Sequence, residues 1–181
     1  MKLTFFSALA ALSPIASLAA PINSTTAANA TTTQQTDGPV GYASQNGGTT
    51  GGAGGSSTTV TSISELMDAV SGDDPAIIYI SGSLTGSTEK IRVGSNKSIL
   101  GKDSKAGIVG AGLFIKEAKN VIVRNLAISK VSEGEGDAIG VQKSENVWID
   151  HCDLSSDLEH GKDFYDGLAD FSHGSDYITV R

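Results

Sequence analysis

Cysteine is almost missing from this chain. Cys152 stands alone among 181 residues, which excludes a disulfide framework and leaves either a buried free thiol or a partner in sequence not shown. Histidine is nearly as scarce: His151, His160 and His173 are the only three, and none has a partner at the close Cys/His or i, i+4 spacing that holds zinc. Positive charge is in deficit, 13 Lys and Arg against 20 Asp and Glu for a net of −7. Nucleic acid and anionic membrane are therefore poor partners. An acidic polymer would also be repelled unless a bridging cation or a local basic groove intervened. The glycine-rich stretch 47–55 lacks the Lys-Ser/Thr ending and the strand-to-helix setting of a phosphate loop. No serine stands in a nucleophile elbow.

One apolar run is long. Lys2 precedes an alanine-rich stretch from Leu3 to Ala20, with small residues at Ser17 and Ala19. This is the pattern of a secretory signal peptide over 1–19, and the run is too short, and too interrupted by Pro14, for a membrane anchor. The expected product is secreted and carries −8 once Lys2 is removed. Residues 20–37 are mostly Asn, Ser, Thr, Ala and Gln, which cannot bury enough apolar surface to offset chain entropy, so they read as a flexible tail. Sequons at Asn23, Asn29 and Asn96 are glycan acceptors if the producing cell is eukaryotic.

Segment 38–57 holds eight glycines and reads as a long loop. Next, Ser62 and Glu65 have capping-box spacing, Ile63, Leu66, Met67 and Val70 share one face, and Gly72 suits a C-terminal end. These features predict a helix over 63–71. Beyond it, Ile- and Val-rich runs recur at 76–80, 90–93, 97–100, 120–126 and 146–152 with almost no helix between them. That excludes βαβ units and leaves a sandwich or a solenoid.

An internal repeat separates those two. GLFIKEAKNVIVRN (112–125), AIGVQKSENVWIDH (138–151) and LADFSHGSDYITVR (168–181) align at offsets of 26 and 30. Leu113, Ile139 and Ala169 share a column, as do Ile115, Val141 and Phe171; Asn120, Asn146 and Asp176; Val121, Val147 and Tyr177; and Val123, Ile149 and Thr179. Two strands per unit, stacked through successive units, describe an all-β, right-handed parallel β-helix, with the Asn/Asp column at a bend between two sheets. Three imperfect copies also arise in an ordinary sandwich, so that alternative stays open here. The helix over 63–71 then caps the first coil. Position 181 falls inside a strand, and the expectation is that 38–181 form the N-terminal part of a longer β-helix domain.

The register gathers acidic residues. Asp170 takes the column of Gly140, and Asp166 that of Gly136, which Glu135 and Asp137 flank; adjacent rungs lie about 4.8 Å apart. Such carboxylates repel one another and need protons, basic partners or a metal ion. Oxygen ligands without His or Cys favour Ca²⁺ over Mg²⁺, which wants strict octahedral geometry. Solvated turn aspartates are the competing reading. His151 falls in the column of Asn125 and Arg181 and alternates with Val147 and Ile149, while Trp148, Asp150 and Cys152 face the other way. His151 thus reads as a hydrogen-bonded element of the stack rather than a catalyst.

At this point VGSNKSILGK, NVIVRNLAIS, GDAIGVQKSENVWIDHCDLSSD and DFYDGLADFSHGSDYITV together resemble the secreted pectate lyases of the parallel β-helix polysaccharide lyase group, the fungal type in particular. The match runs from about Gly38 to Arg181. The resemblance implies a monomer that cleaves de-esterified pectin, polygalacturonate, by β-elimination with Ca²⁺ as cofactor. Carried over by motif, Asp137 of GDAI and Asp166 and Asp170 of YDGLAD are the implied Ca²⁺ ligands, with Glu135 a weaker fourth. In this family the general base is an arginine on a later coil; Arg92, Arg124 and Arg181 stand in no matching motif, so the chain as given is expected to be inactive. Three other readings share much of this pattern: a pectin lyase acting on esterified polymer, a pectin hydrolase using paired aspartates, and a non-catalytic secreted carbohydrate-binding β-helix.

Overall fold

The computed structural model describes residues 38–86 and 90–181. The signal peptide and tail expected over 1–37, with their sequons at Asn23 and Asn29, lie outside them. Strand β1 (Ser56–Val60) leads into helix α1 (Ile63–Val70). The helix starts where the sequence places it: Ser62 Oγ accepts the Glu65 amide at 3.2 Å, and Glu65 Oε2 accepts from the Thr61 amide at 2.7 Å. Leu66 and Val70 are buried over the first coil's core, and Gly72, at φ +63°, turns the chain away.

The chain then winds through three strands per coil. The first coil holds β2 (Ala76–Ile80), β3 (Ser83–Thr85) and β4 (Ile91–Val93). The second holds β5 (Lys97–Gly101), β6 (Gly107–Val109) and β7 (Leu113–Lys116). The third holds β8 (Lys119–Arg124), β9 (Ala127–Ser129) and β10 (Ile139–Gln142). The fourth holds β11 (Glu145–Asp150), β12 (Asp153–Ser155) and β13 (Ala169–Ser172), and β14 (Asp176–Val180) opens another. Like strands pair in parallel into a six-stranded sheet, β1-β2-β5-β8-β11-β14, and two four-stranded sheets, β4-β7-β10-β13 and β3-β6-β9-β12. This is a parallel β-helix, with three sheets where the repeat suggests two. The third sheet's strands are three residues each, too short to show alternation.

Inward side chains stack in columns: Ile78, Ile99, Val123 and Ile149 in one, Leu84, Ile108 and Ile128 in another, and Ile91, Leu113 and Ile139 in a third. All ten are at most 2% exposed, and each contributes about 1.5–3 kcal/mol of transfer free energy. Lys97 occupies an interior column under α1, across the ladder from Val121. Its ammonium donates to the carbonyls of Gly72, Asp74 and Ser95 at 2.6 to 2.9 Å, so a 1%-exposed charge is fully hydrogen-bonded. Burial nonetheless pushes its pKa down.

Corners are made by left-handed residues. Asn96, Asn120, Asn146 and Tyr177 share a bend column, with φ of 54 to 63°. Tyr177, rather than Asp176, belongs there: the ladder pairs Glu145 with Asp176, Val147 with Ile178 and Ile149 with Val180. The aligned pairs Val147/Tyr177 and Ile149/Thr179 are thus one residue out. The turn His173-Gly174-Ser175 carries one residue more than Lys143-Ser144, which lengthens the offset from 30 to 31 after β13. Arg181 accordingly falls beside Asp150, not His151.

The glycine-rich loop is an organised strap on the outside of the six-stranded sheet. Asn120 Oδ1 accepts the amides of Thr50 and Gly51 at 2.7 and 2.8 Å, while its Nδ2 donates to Gly51 O and Asn96 Oδ1. Asn146 Oδ1 accepts from Asn46 Nδ2, and its own Nδ2 donates to Gln45 O. Glycine is required at 52, where a Cβ would stand 1.9 Å from the Ala76 carbonyl oxygen. Thr179 Oγ1 accepts the Ala43 amide and donates to Val40 O, and the Tyr42 and Tyr177 rings stack at 5.8 Å. Asn96 is part of this ladder, its Nδ2 donating to Asp73 O at 3.0 Å. A glycan on that nitrogen would displace the contact.

Candidate functional site: a carboxylate group on the four-stranded sheet

The outer face of β4-β7-β10-β13 carries the row Arg92, Phe114, Gly140, Asp170, set by the ladder itself. Asp170 therefore stands beside Gly140 as the repeat register requires. Asp137 enters this face just before β10, after the 3-10 turn Glu133–Glu135 and Gly136, whose φ of +87° needs glycine. Glycines frame its carboxylate. A Cβ at Gly167 would lie 2.6 Å from Asp137 Oδ1, and one at Gly140 would lie 3.8 Å from Oδ2 and 3.1 Å from the Phe114 ring. Asp166 immediately precedes Gly167, and Asp170 Oδ2 accepts a hydrogen bond from Ser172 Oγ at 2.9 Å.

The electrostatics register Asp166 and Asp170 at Asp137. Burial pushes the Asp137 pKa up, the charges of Asp166 and Asp170 push it further, and Lys90 opposes them. Glu135 lies in the turn before Gly136. Among the described residues no three His, Cys, Asp or Glu side chains already stand at metal-binding separation.

Cations sit on the same face. Lys90 Nζ lies 4.9 Å and Arg92 Cζ 5.6 Å from the Phe114 ring centre. The Lys90 stem passes over Gly136, where a Cβ would meet Cε at 2.4 Å. Arg92 has no motif to mark it, and only the ladder places it in the row of Asp170.

The other chemistry-bearing residues lie elsewhere. Asp150, wholly buried, stands 2.7 Å from Arg124 Nε, 3.2 Å from Arg181 Nε and 2.8 Å from His151 Nδ1. The Arg124 and Asp150 atoms do not align as hydrogen bonds, so this pairing is chiefly Coulombic. Arg124 also covers the buried Trp148 ring at 5.2 Å. His151 is not packed in the stack: it is a left-handed bend residue, φ +51°, with its side chain 54% exposed. The bend turns Cys152 inward, where it packs against the core with Sγ near Val123 O. Burial pushes that thiol's pKa up, the signature of an unreactive cysteine. His160 pairs with Asp157 at 2.8 Å and stacks on Phe164, and His173 contacts Ser172 Oγ. A groove of about 470 Å³ at the corner between sheets is lined by Asp73, Glu117, Lys119, Lys143, Glu145 and His173 and contains none of the three aspartates.

Comparison with known proteins agrees with this architecture. The pectate lyase sequence family matches residues 11–181. Pectate lyase A of Aspergillus niger is 55% identical over 163 residues, covering 90% of this chain and 50% of that protein. Pectate lyase A of Emericella nidulans is 60% identical over 144 residues, covering 80% of this chain and 44% of that protein. Among solved structures, pectate lyase Bsp165PelA from Bacillus sp. N165, in complex with trigalacturonate, superposes with a TM-score of 0.73 at 38% identity, covering 79% of this chain and 51% of that one. The chain spans about half the length of the curated relatives it matches. A parallel β-helix with this ladder register, matched in sequence by fungal pectate lyases across most of its length, belongs to the pectate lyase family.

Proposed function

We propose that the full-length protein is a secreted, monomeric, Ca²⁺-dependent pectate lyase that cleaves de-esterified pectin by β-elimination, and that residues 38–181 supply its carboxylate group. The observation that carries this reading is Asp137, framed by Gly140 and Gly167 and driven toward protonation by burial, Asp166 and Asp170. Carboxylates crowded on a sheet face, whose effect on Asp137 is offset only in part by Lys90, are what a hard cation selects, and the donor set of Asp137, Asp166 and Asp170 fits Ca²⁺. Bound there, Ca²⁺ would act as a Lewis acid on the uronate carboxylate as negative charge builds during loss of the C5 proton. Gly140, between Phe114 and Asp170 on this face, places no side chain over the site.

We further infer that the arginines of this chain do not supply the proton acceptor. Arg124 and Arg181 are turned to Asp150 on another sheet, and Arg92 lies three strands from Asp170. We assign that role to another segment of the full-length protein. Full-length protein and the 181-residue chain, assayed for unsaturated products on polygalacturonate and on methylated pectin with and without chelator, test this. Chelator-sensitive cleavage of polygalacturonate by full-length protein alone is expected. Cleavage that ignores chelator, or that prefers methylated pectin, overturns the reading.

A further inference from the structure

A chain of net charge −7 must attract a polyanion through local positive charge, and the aspartates themselves work against it. The outer face of the four-stranded sheet offers such charge beside them. Lys90 and Arg92 rest on Phe114, which is only 9% exposed because they cover it. Among the described residues neither is paired with a carboxylate at salt-bridge distance, and the Lys90 charge reaches Asp137 only as a longer-range Coulombic effect. The aromatic face restrains both cations without neutralising them. Lys116 adds a third positive charge on the outward side of β7.

We propose that Lys90 and Arg92, held on Phe114, form a subsite that takes the carboxylate of a uronate residue directly, without a bridging metal ion, two to three rungs from Asp170. This rests on the proposed function and names how the anionic polymer is first held. Strands β4, β7, β10 and β13 advance about 4.8 Å each, close to the length of one sugar unit, so a chain lying across the strands presents successive carboxylates to successive rungs. The guanidinium fork of Arg92 matches a carboxylate in two parallel hydrogen bonds, and Lys90 adds a point charge. Gly140, between Phe114 and Asp170, has no side chain to interrupt the path.

Trigalacturonate titrated into the 181-residue chain in excess chelator, followed by calorimetry or amide shifts, tests this. Binding is expected that weakens with salt, is absent for the fully methyl-esterified trimer, and falls by about ten-fold or more in Arg92→Gln, the ratio for one lost charge-assisted contact. Lys90→Met should weaken it too, while Arg92→Lys restores part of it and Lys102→Gln leaves it unchanged. Both tested side chains are partly or fully exposed, and thermal unfolding of each variant checks that the fold is kept. If chelator abolishes binding in every variant, or if Arg92→Gln and Lys90→Met bind as the unaltered chain does, the subsite is wrong while Ca²⁺-dependent cleavage stands. Chelator-resistant, Arg92-dependent binding beside a full-length protein that does not cleave would support the subsite and overturn the activity.

Discussion

Replacing Asp150 by alanine should destabilise this protein more than any change at the exposed carboxylates. The Asp150 side chain is completely buried, and the Arg124 side chain facing it at 2.7 Å is 9% exposed. Removing the carboxylate leaves a buried guanidinium without counter-charge, which costs about 3–5 kcal/mol. The pairs with Arg181 and His151, whose side chains are 45% and 54% exposed, add under about 1 kcal/mol because water takes over as partner. Replacing both members, Arg124→Met with Asp150→Leu, removes charge and counter-charge together. Its main loss is the contact over Trp148, about 1 kcal/mol. Trp148 is the only tryptophan and lies against this pair, so its fluorescence during urea unfolding reports the unaltered protein and both variants. The expected order is unaltered protein, then the double variant within about 2 kcal/mol, then Asp150→Ala. A cost below about 1 kcal/mol for Asp150→Ala, or a double variant as unstable as the sum of its singles, would refute a buried charge pair at this position.

Asn120→Ala removes five side-chain contacts to the strap and the ladder and places alanine at φ +63°; a loss of about 2–4 kcal/mol is expected, with faster hydrogen exchange at the Thr50 and Gly51 amides. Asn120→Gly, which relieves the backbone but not the contacts, should recover only part of it. Gly167→Ala forces the Asp137 carboxylate to move from a 2.6 Å approach, and calorimetric Ca²⁺ affinity should fall about ten-fold; unchanged affinity would separate Gly167 from the cation site. The hydrogen bond from His160, and after it that from Tyr165, hold the Asp157 carboxyl well below its ordinary 3.8. With its folded pKa depressed, the unfolded chain binds more protons in acid, so this stabilisation is whole above about pH 5 and is lost as pH falls through 3.8 toward the folded value. The urea midpoint should therefore drop more between neutral pH and pH 3 in the unaltered protein than in Asp157→Asn, and equal drops would count against it. The Tyr165 phenol, pushed up to about 12 by burial and then by Asp157, has the opposite sense, stabilising below 10.0 and lost as pH rises toward 12.

Side-chain period carried most of the fold. Leu113/Ile139/Ala169 and Ile115/Val141/Phe171 are columns of the finished ladder, because parallel pairing translates a sequence repeat directly into stacked rungs. The same logic placed Asp170 beside Gly140. It failed after β13, where one extra turn residue moved Tyr177 into the asparagine column, since an insertion inside a turn leaves no mark on strand alternation. Alternation alone puts Cys152 on the wrong side because His151 bends the chain, and the bend is a property of φ rather than of pattern. The strap was invisible for another reason: its hydrogen-bond partners lie 46 to 139 residues away in sequence, and glycine composition gives the same signal for a tied loop as for a free one.

The strap changes how such a molecule can come into being. A stack of coils joined only to their neighbours can grow rung by rung, each stable addition independent of the far end. Here Thr179 holds the main chain at Val40 and Ala43 across 136 to 139 residues, so that end of the strap cannot dock until β14 exists. During synthesis the strap would close in steps, Gly52 on Ser98, then Thr50 and Gly51 on Asn120, then Gln45 and Asn46 on Asn146, with Val40 and Ala43 settling last on Thr179. What looks like a loose entrance to the fold is its latch.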